Sequence, residues 1–352
     1  MATAVQRLRG TFLPLSFNSG LNVVGILVVL WALFATAQRV FEAGGTYFLQ
    51  EMGFGLAEGA IFALVALGYT MVYGIIELIN FAHGDVFTLG AFFSLALMPW
   101  LGLTTTSSGA GVILPLLGLF VVTMLFCALV NIAIERVAYR PLRHAPRLAP
   151  LITAIGMSSL LEGIMFIWRG PYTLYYPDLL PERQIALIGG ASISAKAIFV
   201  IVIAILLMVG LTIFINRSTL GRAMRATAQD RDAALLMGIN INRTIAATFF
   251  IGAALAGAGG IIYGLYYNSV AAFDGFGLGL FAFTAAVLGG IGNLPGAVLG
   301  AILIGLIQQF NEGLSWHAPS SQWTQSIVFA ILILILVFRP EGLLGERTPE
   351  GG

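Results

Sequence analysis

Four polar or ionisable side chains interrupt an otherwise apolar part of the sequence within nine residues; they are Glu77, Asn80, His83 and Asp85. Apolar residues precede them from Leu56 to Ile76 and follow them from Val86 to Trp100. A charge at the centre of a membrane helix costs about 2.5–3.5 kcal/mol even on a lenient insertion scale. We therefore expect this stretch, called the polar segment 77–85 below, to have a role that offsets that cost.

The polar segment 77–85 has a structural interpretation as a break between two helices. Gly84 would be the left-handed C-cap of the incoming helix, and Asp85 would be the N-cap of the outgoing helix. Asn80 and His83 would satisfy backbone groups that the break leaves without partners, as a membrane environment requires.

The functional interpretation is that the same polar groups line a substrate path. Asn80 and His83 are three residues apart, so they share a face if the helix continues to His83. Gly84, Asp85 and the preceding Tyr69 complete this candidate path. A narrower alternative is a proton relay through the three ionisable side chains of the segment. The structural and functional interpretations are compatible, and the residue pattern leaves both open.

A second candidate site is the longest hydrophilic stretch, residues 217–243. It contains five arginines and two aspartates, a net charge of +3. One polar helix face is predicted by residues spaced three, four and three apart, namely Arg222, Arg225, Gln229 and Asp232. Gly238 is expected to cap the end of that helix. Such a helix is either a solvated loop element or a docking element for a cytoplasmic partner.

The amino-acid composition predicts which kind of secondary structure holds these residues in place. Of 352 residues, 59% are hydrophobic and only 9% are charged, whereas soluble domains carry about 25% charged residues. The chain is therefore predicted to be an all-α polytopic membrane protein. The net charge of +1 argues against a nucleic-acid partner. The single cysteine, Cys127, can form no disulfide within the chain.

Apolar stretches predict nine or ten membrane spans. Two arginine-rich loops, 135–147 and 216–243, are expected in the cytoplasm by the positive-inside rule, and residues 169–195 are then an external loop. The first stretch, Leu21–Ala37, is either a retained helix or a signal peptide. Residues 1–46 are therefore taken as an N-terminal extension, 47–345 as the transmembrane domain and 346–352 as a cytoplasmic tail. A Gly-rich break at 289–296 is a candidate equivalent of the polar segment in a second, repeated half.

Several familiar active-site patterns are missing from the sequence. The only lysine is Lys196, and it does not stand in a P-loop, so the chain has no ATP site of that type. The three histidines show no metal-binding spacing, and no Gly-x-Ser-x-Gly elbow is present. We therefore expect a protein without enzymatic activity, metal or cofactor.

Five stretches together resemble the LivH-type permease subunit of branched-chain amino acid ABC importers. Within one of them, Asp232–Gly238 resembles the Glu-Ala-Ala-x-x-x-Gly signature of importer permeases, with Asp in place of Glu and without the downstream Ile-x-Leu-Pro. The five stretches are Gly68–Asp85 with the following Thr88–Gly90, Ile134–Pro141, Ile152–Ser158, Gly221–Asn240 and Ala285–Ala297. The resemblance runs from about residue 47 to residue 345.

This resemblance implies an ABC importer permease with broken helices in the bacterial inner membrane. It implies a second homologous permease chain, two cytoplasmic ATPase subunits and a periplasmic amino-acid-binding protein as partners. Residues 217–243 would dock into an ATPase cleft as the coupling loop. The resemblance assigns this docking role to Gly221, Arg222, Arg225, Asp232, Ala233, Ala234 and Gly238.

The sequence is compatible with several classes of cargo. Branched-chain amino acids are the usual cargo of the family, but related permeases carry other neutral amino acids, urea or short amides. A different class of protein, a proton-coupled secondary transporter, is the alternative that needs no ATPase partner.

Overall fold

The computed structural model describes residues 44–104, 109–143, 145–146, 148–181, 183–186, 190–313, 321–339 and 341–345. The predicted span Leu21–Ala37 and the tail 346–352 lie outside these residues, so both remain predictions. Eleven α-helices are described: α1 Gly45–Ile76, α2 Ala82–Leu97, α3 Ile113–Ile134, α4 Leu148–Arg169, α5 Ala195–Arg217, α6 Thr219–Gln229, α7 Arg231–Leu236, α8 Ile241–Tyr267, α9 Asp274–Gly289, α10 Leu294–Gly313 and α11 Thr324–Phe338.

Nine of the described helices correspond to the nine spans predicted after residue 46. Eight are long and apolar enough to cross a membrane when short helical extensions are included, and α9 is a shorter apolar helix. The prediction of an all-α polytopic membrane protein is therefore confirmed. Most of these helices have apolar residues on every side, which is typical of helices surrounded by protein and lipid rather than water.

The core is formed by α1, α2, α8, α9 and α10. The central helix is α1, which is buried along most of its length and packs most extensively against α10 and α8. The outer helices α3, α4, α5 and α11 leave large apolar side chains exposed. In a bilayer such faces contact lipid or another membrane protein, because lipid tails are as apolar as the side chains.

The break in the polar segment 77–85 lies earlier than the sequence predicted. Helix α1 ends at Ile76, and Glu77 takes the left-handed conformation with φ 58°. Helix α2 begins at Ala82, so Gly84 and Asp85 lie in its first turn. The predicted roles of Gly84 as a left-handed C-cap and Asp85 as an N-cap are therefore wrong.

Gly84 is required by close packing instead. A Cβ atom there would overlap the Gly275 carbonyl oxygen and lie 2.8 Å from the Gly279 Cα of α9. Both obstacles are backbone atoms, which no side-chain rotation can move. The sequence thus correctly indicated that a glycine is needed at position 84. The reason is the close approach of α9 and not a turn.

Residues 77–81 return the chain into the interior of the bundle. Gly74, near the end of α1, lies beside Gly292 in the α9–α10 connection, whereas Gly84 lies beside Gly279. Gly279 precedes the last residue of α9, Gly289, by ten residues, which is about 15 Å along a helix. The N-terminus of α2 is therefore inside the protein and not at its surface.

Four short strands, which the sequence analysis did not predict, lie between the outer ends of the helices. Strand β1 (Leu174–Tyr175) pairs antiparallel with β4 (Ser269–Val270), and β2 (Gln184–Ala186) pairs antiparallel with β3 (Ser192–Ser194).

Tyr176 follows β1 directly and inserts into the helical core. Its hydroxyl donates to the Ala91 carbonyl oxygen at 2.5 Å and lies 2.7 Å from Ser94 Oγ. Burial raises the pKa of this hydroxyl. Its neighbours Tyr172 and Tyr175 are exposed. The loop predicted as external therefore includes a residue that anchors it to α2.

The Gly-rich break at 289–296 is confirmed as a break between α9 and α10. Gly290 and Gly292 both have positive φ angles. The chain after α11 covers this connection, since Leu343 and Leu344 donate backbone hydrogen bonds to Leu288 and Gly289 at 2.8 and 2.9 Å. The equivalence of this break to the polar segment 77–85 remains a prediction.

Candidate functional site

The first part of the site is a group of buried polar side chains around the start of α2. Asn80, His83 and Asp85 are almost completely buried, as is Tyr69 on α1. Glu77, in contrast, is exposed at the end of α1. No described hydrogen bond links Glu77 to His83 or Asp85, so the described residues show no continuous proton relay.

His83 is held by packing rather than by hydrogen bonds. Its ring meets Tyr69 edge-on, with centroids 4.9 Å apart and planes at 71°, and it fills the space beside Gly68. The Val65 backbone carbonyl faces the ring, but neither ring nitrogen makes a hydrogen bond of good geometry with a described residue. A buried imidazole in this state is costly unless a ligand, water or second conformation satisfies it.

Asp85 has one hydrogen-bonded oxygen and one without a partner. Ser158 of α4 donates its hydroxyl proton to Asp85 Oδ2 at 2.5 Å, while Oδ1 has no partner among the described residues. The neighbouring Thr88 hydroxyl is also buried and without a partner. Asp85 Oδ1 and Thr88 Oγ1, three residues apart on α2, are therefore two polar atoms that are able to bind a polar solute.

Tyr139 is a site residue that sequence reasoning missed. Its hydroxyl donates to Asn80 Oδ1 at 2.6 Å, and both side chains are buried. Tyr139 lies in a π-helical turn, Glu135–Tyr139, after α3. From the sequence, this stretch is a basic loop and part of the family resemblance, without a role assigned to Tyr139. Its distance from Asn80 along the chain gave no signal of the contact, so only the tertiary structure shows it.

Replacing Tyr139 by Phe is expected to destabilise the protein by about 1–3 kcal/mol. The change leaves the buried Asn80 amide without a partner, because its Nδ2 already has none among the described residues. Thermal unfolding in detergent measures the effect. Tyr175→Phe, which removes the same hydroxyl from an exposed ring, is the matched control. Equal stability of both variants would contradict the importance of this hydrogen bond.

The second part of the site, residues 217–243, folds as two helices and not as one. Asp230 has extended backbone angles between α6 and α7, and its carboxylate accepts hydrogen bonds from the backbone of Asp232 and Ala233. The predicted continuous polar face is therefore wrong, since Asp232 belongs to a separate helix. The predicted cap at Gly238 is confirmed by its φ of +80°.

Backbone packing and partly buried hydrogen bonds fix these two helices to the membrane domain. Gly221 packs against the Ile215 backbone, and Arg225 donates to the Ile215 carbonyl oxygen at 2.5 Å. Arg231 donates to the Ile75 carbonyl oxygen at 2.7 Å, beside the start of the polar segment 77–85. Residues 217–243 are therefore in direct contact with the end of α1.

The C-terminal end of α7 exposes consecutive apolar side chains. Leu235, Leu236 and Met237 are 55%, 88% and 82% exposed, and we call them the apolar tip. Ala234, predicted as a docking residue, is buried against the membrane domain. The other predicted residues Arg222, Asp232 and Ala233 are exposed. Three consecutive exposed apolar residues in a charged segment are typical of an interaction site.

Nine apolar helices, buried polar groups at an internal helix start and an exposed apolar tip define a multi-pass membrane permease. A family model described as the branched-chain amino acid transport system permease component matches residues 52–337. The chain belongs to this family.

Curated relatives agree with the family model. The chain is 43% identical over 310 residues to the high-affinity branched-chain amino acid transport system permease protein BraD of Pseudomonas aeruginosa, covering 86% of this chain and 98% of BraD. It is 42% identical over 312 residues to LivH of Escherichia coli, with 86% and 97% covered. A more distant relative, the autoinducer 2 import system permease protein LsrC of Klebsiella pneumoniae, is 29% identical over 54% of this chain. No solved structure matches the chain.

Proposed function

We propose that this chain is the transmembrane subunit of an ATP-driven importer that carries branched-chain or other neutral amino acids into the cytoplasm. Its partners are two ATPase subunits, a second homologous permease chain and a periplasmic amino-acid-binding protein, and its location is the bacterial inner membrane. The membrane-embedded residues provide the path, and the energy enters through residues 217–243.

The main support for this proposal is the exposed apolar tip, which lies next to the hydrogen bond between Arg231 and the end of α1. Leu236 and Met237 project from a short helix that is anchored on the membrane side by Ala234 and Arg231. Exposed apolar residues on an anchored element favour a protein partner. Since the sequence has no P-loop, ATP hydrolysis by a partner chain explains both features.

The polar groups at the start of α2 support a zwitterionic cargo. The N-terminus of a helix inside the membrane offers partial positive charge to a carboxylate, and Asp85 and Thr88 offer oxygen atoms to an ammonium group. These contacts are few, which fits transient passage. Affinity for one amino acid over another is then supplied mainly by the binding protein.

A reconstitution experiment tests the proposal. Proteoliposomes that contain this chain, its second permease and the ATPase subunits are expected to take up leucine only with ATP inside and binding protein outside. Liposomes with the purified chain alone are expected to show no uptake under a pH gradient. Gradient-driven uptake without an ATPase would overturn the proposal in favour of a proton-coupled carrier. Competition of leucine uptake by urea, acetamide and alanine distinguishes the cargo classes.

A further inference from the structure

A cavity of about 270 Å³ opens between the end of α3 and the start of α8. Its lining includes Arg136 and Arg140 after α3, and Asn240, Asn242 and Arg243 at the start of α8. We infer that this arginine cavity binds the phosphate headgroup of an anionic phospholipid. The site requires neither a cargo nor an ATPase and goes beyond the transport function.

The charge of the arginine cavity is positive and uncompensated. Arg136, Arg140 and Arg243 have no ion-pair partner in the part of the chain that the structure describes. Among the described residues that line the cavity, the one carboxylate is that of Glu135, which is buried and already paired with Arg143. An entering phosphate would therefore meet three free guanidinium groups, whose planar donors match phosphate oxygens.

The walls of the cavity are held in place before a ligand arrives. Arg143 donates to Asn242 Oδ1 at 2.5 Å and also bonds Glu135, so it joins the α3 side to the α8 side. Deeper in the protein, Asn131 Nδ2 donates to the Phe249 carbonyl oxygen at 2.9 Å and joins the same two helices. The Asn240 side chain caps α8 by accepting from the Arg243 backbone N–H, so the positive end of that helix also faces this region.

The surface leading to the cavity favours a lipid as the occupant. On α3, Leu125 and Leu129 are 49% and 62% exposed. Arg136 follows Leu129 by seven residues and lies in the π-helical turn that continues α3. An apolar strip that ends in arginines matches an acyl chain joined to a phosphate at the membrane–water boundary, where basic pockets between helices bind anionic headgroups. The cavity volume of about 270 Å³ is far above the roughly 10–15 Å³ that one water needs by the same kind of measure, so a phosphodiester group has room to enter.

Native mass spectrometry of the full chain in detergent tests this assignment. Phosphatidylglycerol is titrated against phosphatidylcholine with the same acyl chains. Retention of phosphatidylglycerol is expected to fall about fivefold for each of Arg136→Gln, Arg140→Gln and Arg243→Gln, and to be lost in the triple variant. The matched control is Arg339→Gln, which removes one exposed arginine after α11 and is expected to bind like the unmodified chain.

The possible outcomes separate the alternatives. Equal retention by the triple variant and the unmodified chain, or an equal loss in Arg339→Gln, would overturn the site. Competition by inorganic phosphate at the concentration of the lipid would assign the cavity to a soluble anion and overturn the lipid. Displacement of the lipid when ATPase subunits assemble would assign it to an acidic partner segment. If the triple variant does not fold, the single variant Arg140→Gln is compared with Arg339→Gln, provided that its unfolding midpoint is unchanged. Equal retention of phosphatidylglycerol by these two variants would then overturn the site.

Discussion

Replacing Leu236 and Met237 together by glutamate is expected to abolish ATP-driven uptake while the membrane helices remain folded. Both side chains are more than four-fifths exposed in the isolated chain. Burying one such side chain against a partner contributes about 1.5–3 kcal/mol, and a glutamate would bring an unpaired charge into the contact. Loss of two contacts corresponds to roughly a hundredfold or greater decrease in affinity for the ATPase.

Two measurements check this result: co-purification of the ATPase subunits with the permease, and ATP hydrolysis by the assembled complex. The matched control is Leu344→Glu, which makes the same change at another exposed leucine, in the segment after α11. We expect that control to assemble and hydrolyse ATP normally. A double variant with full ATPase stimulation would show that the apolar tip is not the docking site.

Gly84→Val is expected to destabilise the bundle by about 3 kcal/mol, the upper part of the usual range for an overpacked core. Helix α9 passes so close that even a Cβ atom would overlap the Gly275 carbonyl oxygen. Because α2 starts at this contact, its buried residues Asp85 and Thr88 would be displaced with it. Unfolding midpoints in detergent and the yield of protein in membranes measure the effect.

Two further variants distinguish packing from a turn as the reason for Gly84. Asn tolerates a left-handed cap, so Gly84→Asn would be mild if the residue were a cap, whereas close packing makes it severe. Glu77→Gly is expected to change stability by less than about 1 kcal/mol, since glycine relieves the left-handed angle but raises the entropy of the unfolded chain. A stable Gly84→Asn variant together with an unstable Glu77→Gly variant would show instead that Gly84 forms the break between the helices.

The transmembrane architecture could be predicted from the sequence because membrane insertion depends on local composition. About twenty apolar residues are needed to cross a bilayer whatever the rest of the chain does. The predicted apolar stretch Leu56–Ile76 ends where α1 ends, and the stretch Val86–Trp100 differs from α2 only at its ends. The position of the break in the polar segment 77–85 was less predictable, since Glu77 adopts the left-handed conformation despite having a side chain.

What the sequence by itself determined was the class of protein, its apolar spans and the two segments that contain the polar chemistry. Only the tertiary structure decided which groups meet: Asn80 with Tyr139, Asp85 with Ser158, and Arg231 with the end of α1. Apolarity and helix caps are properties of neighbouring residues and can be read along the chain. Contacts between residues 59 to 156 positions apart depend on how helices cross, and in this protein those crossings are set by backbone approaches such as that of α9 to Gly84.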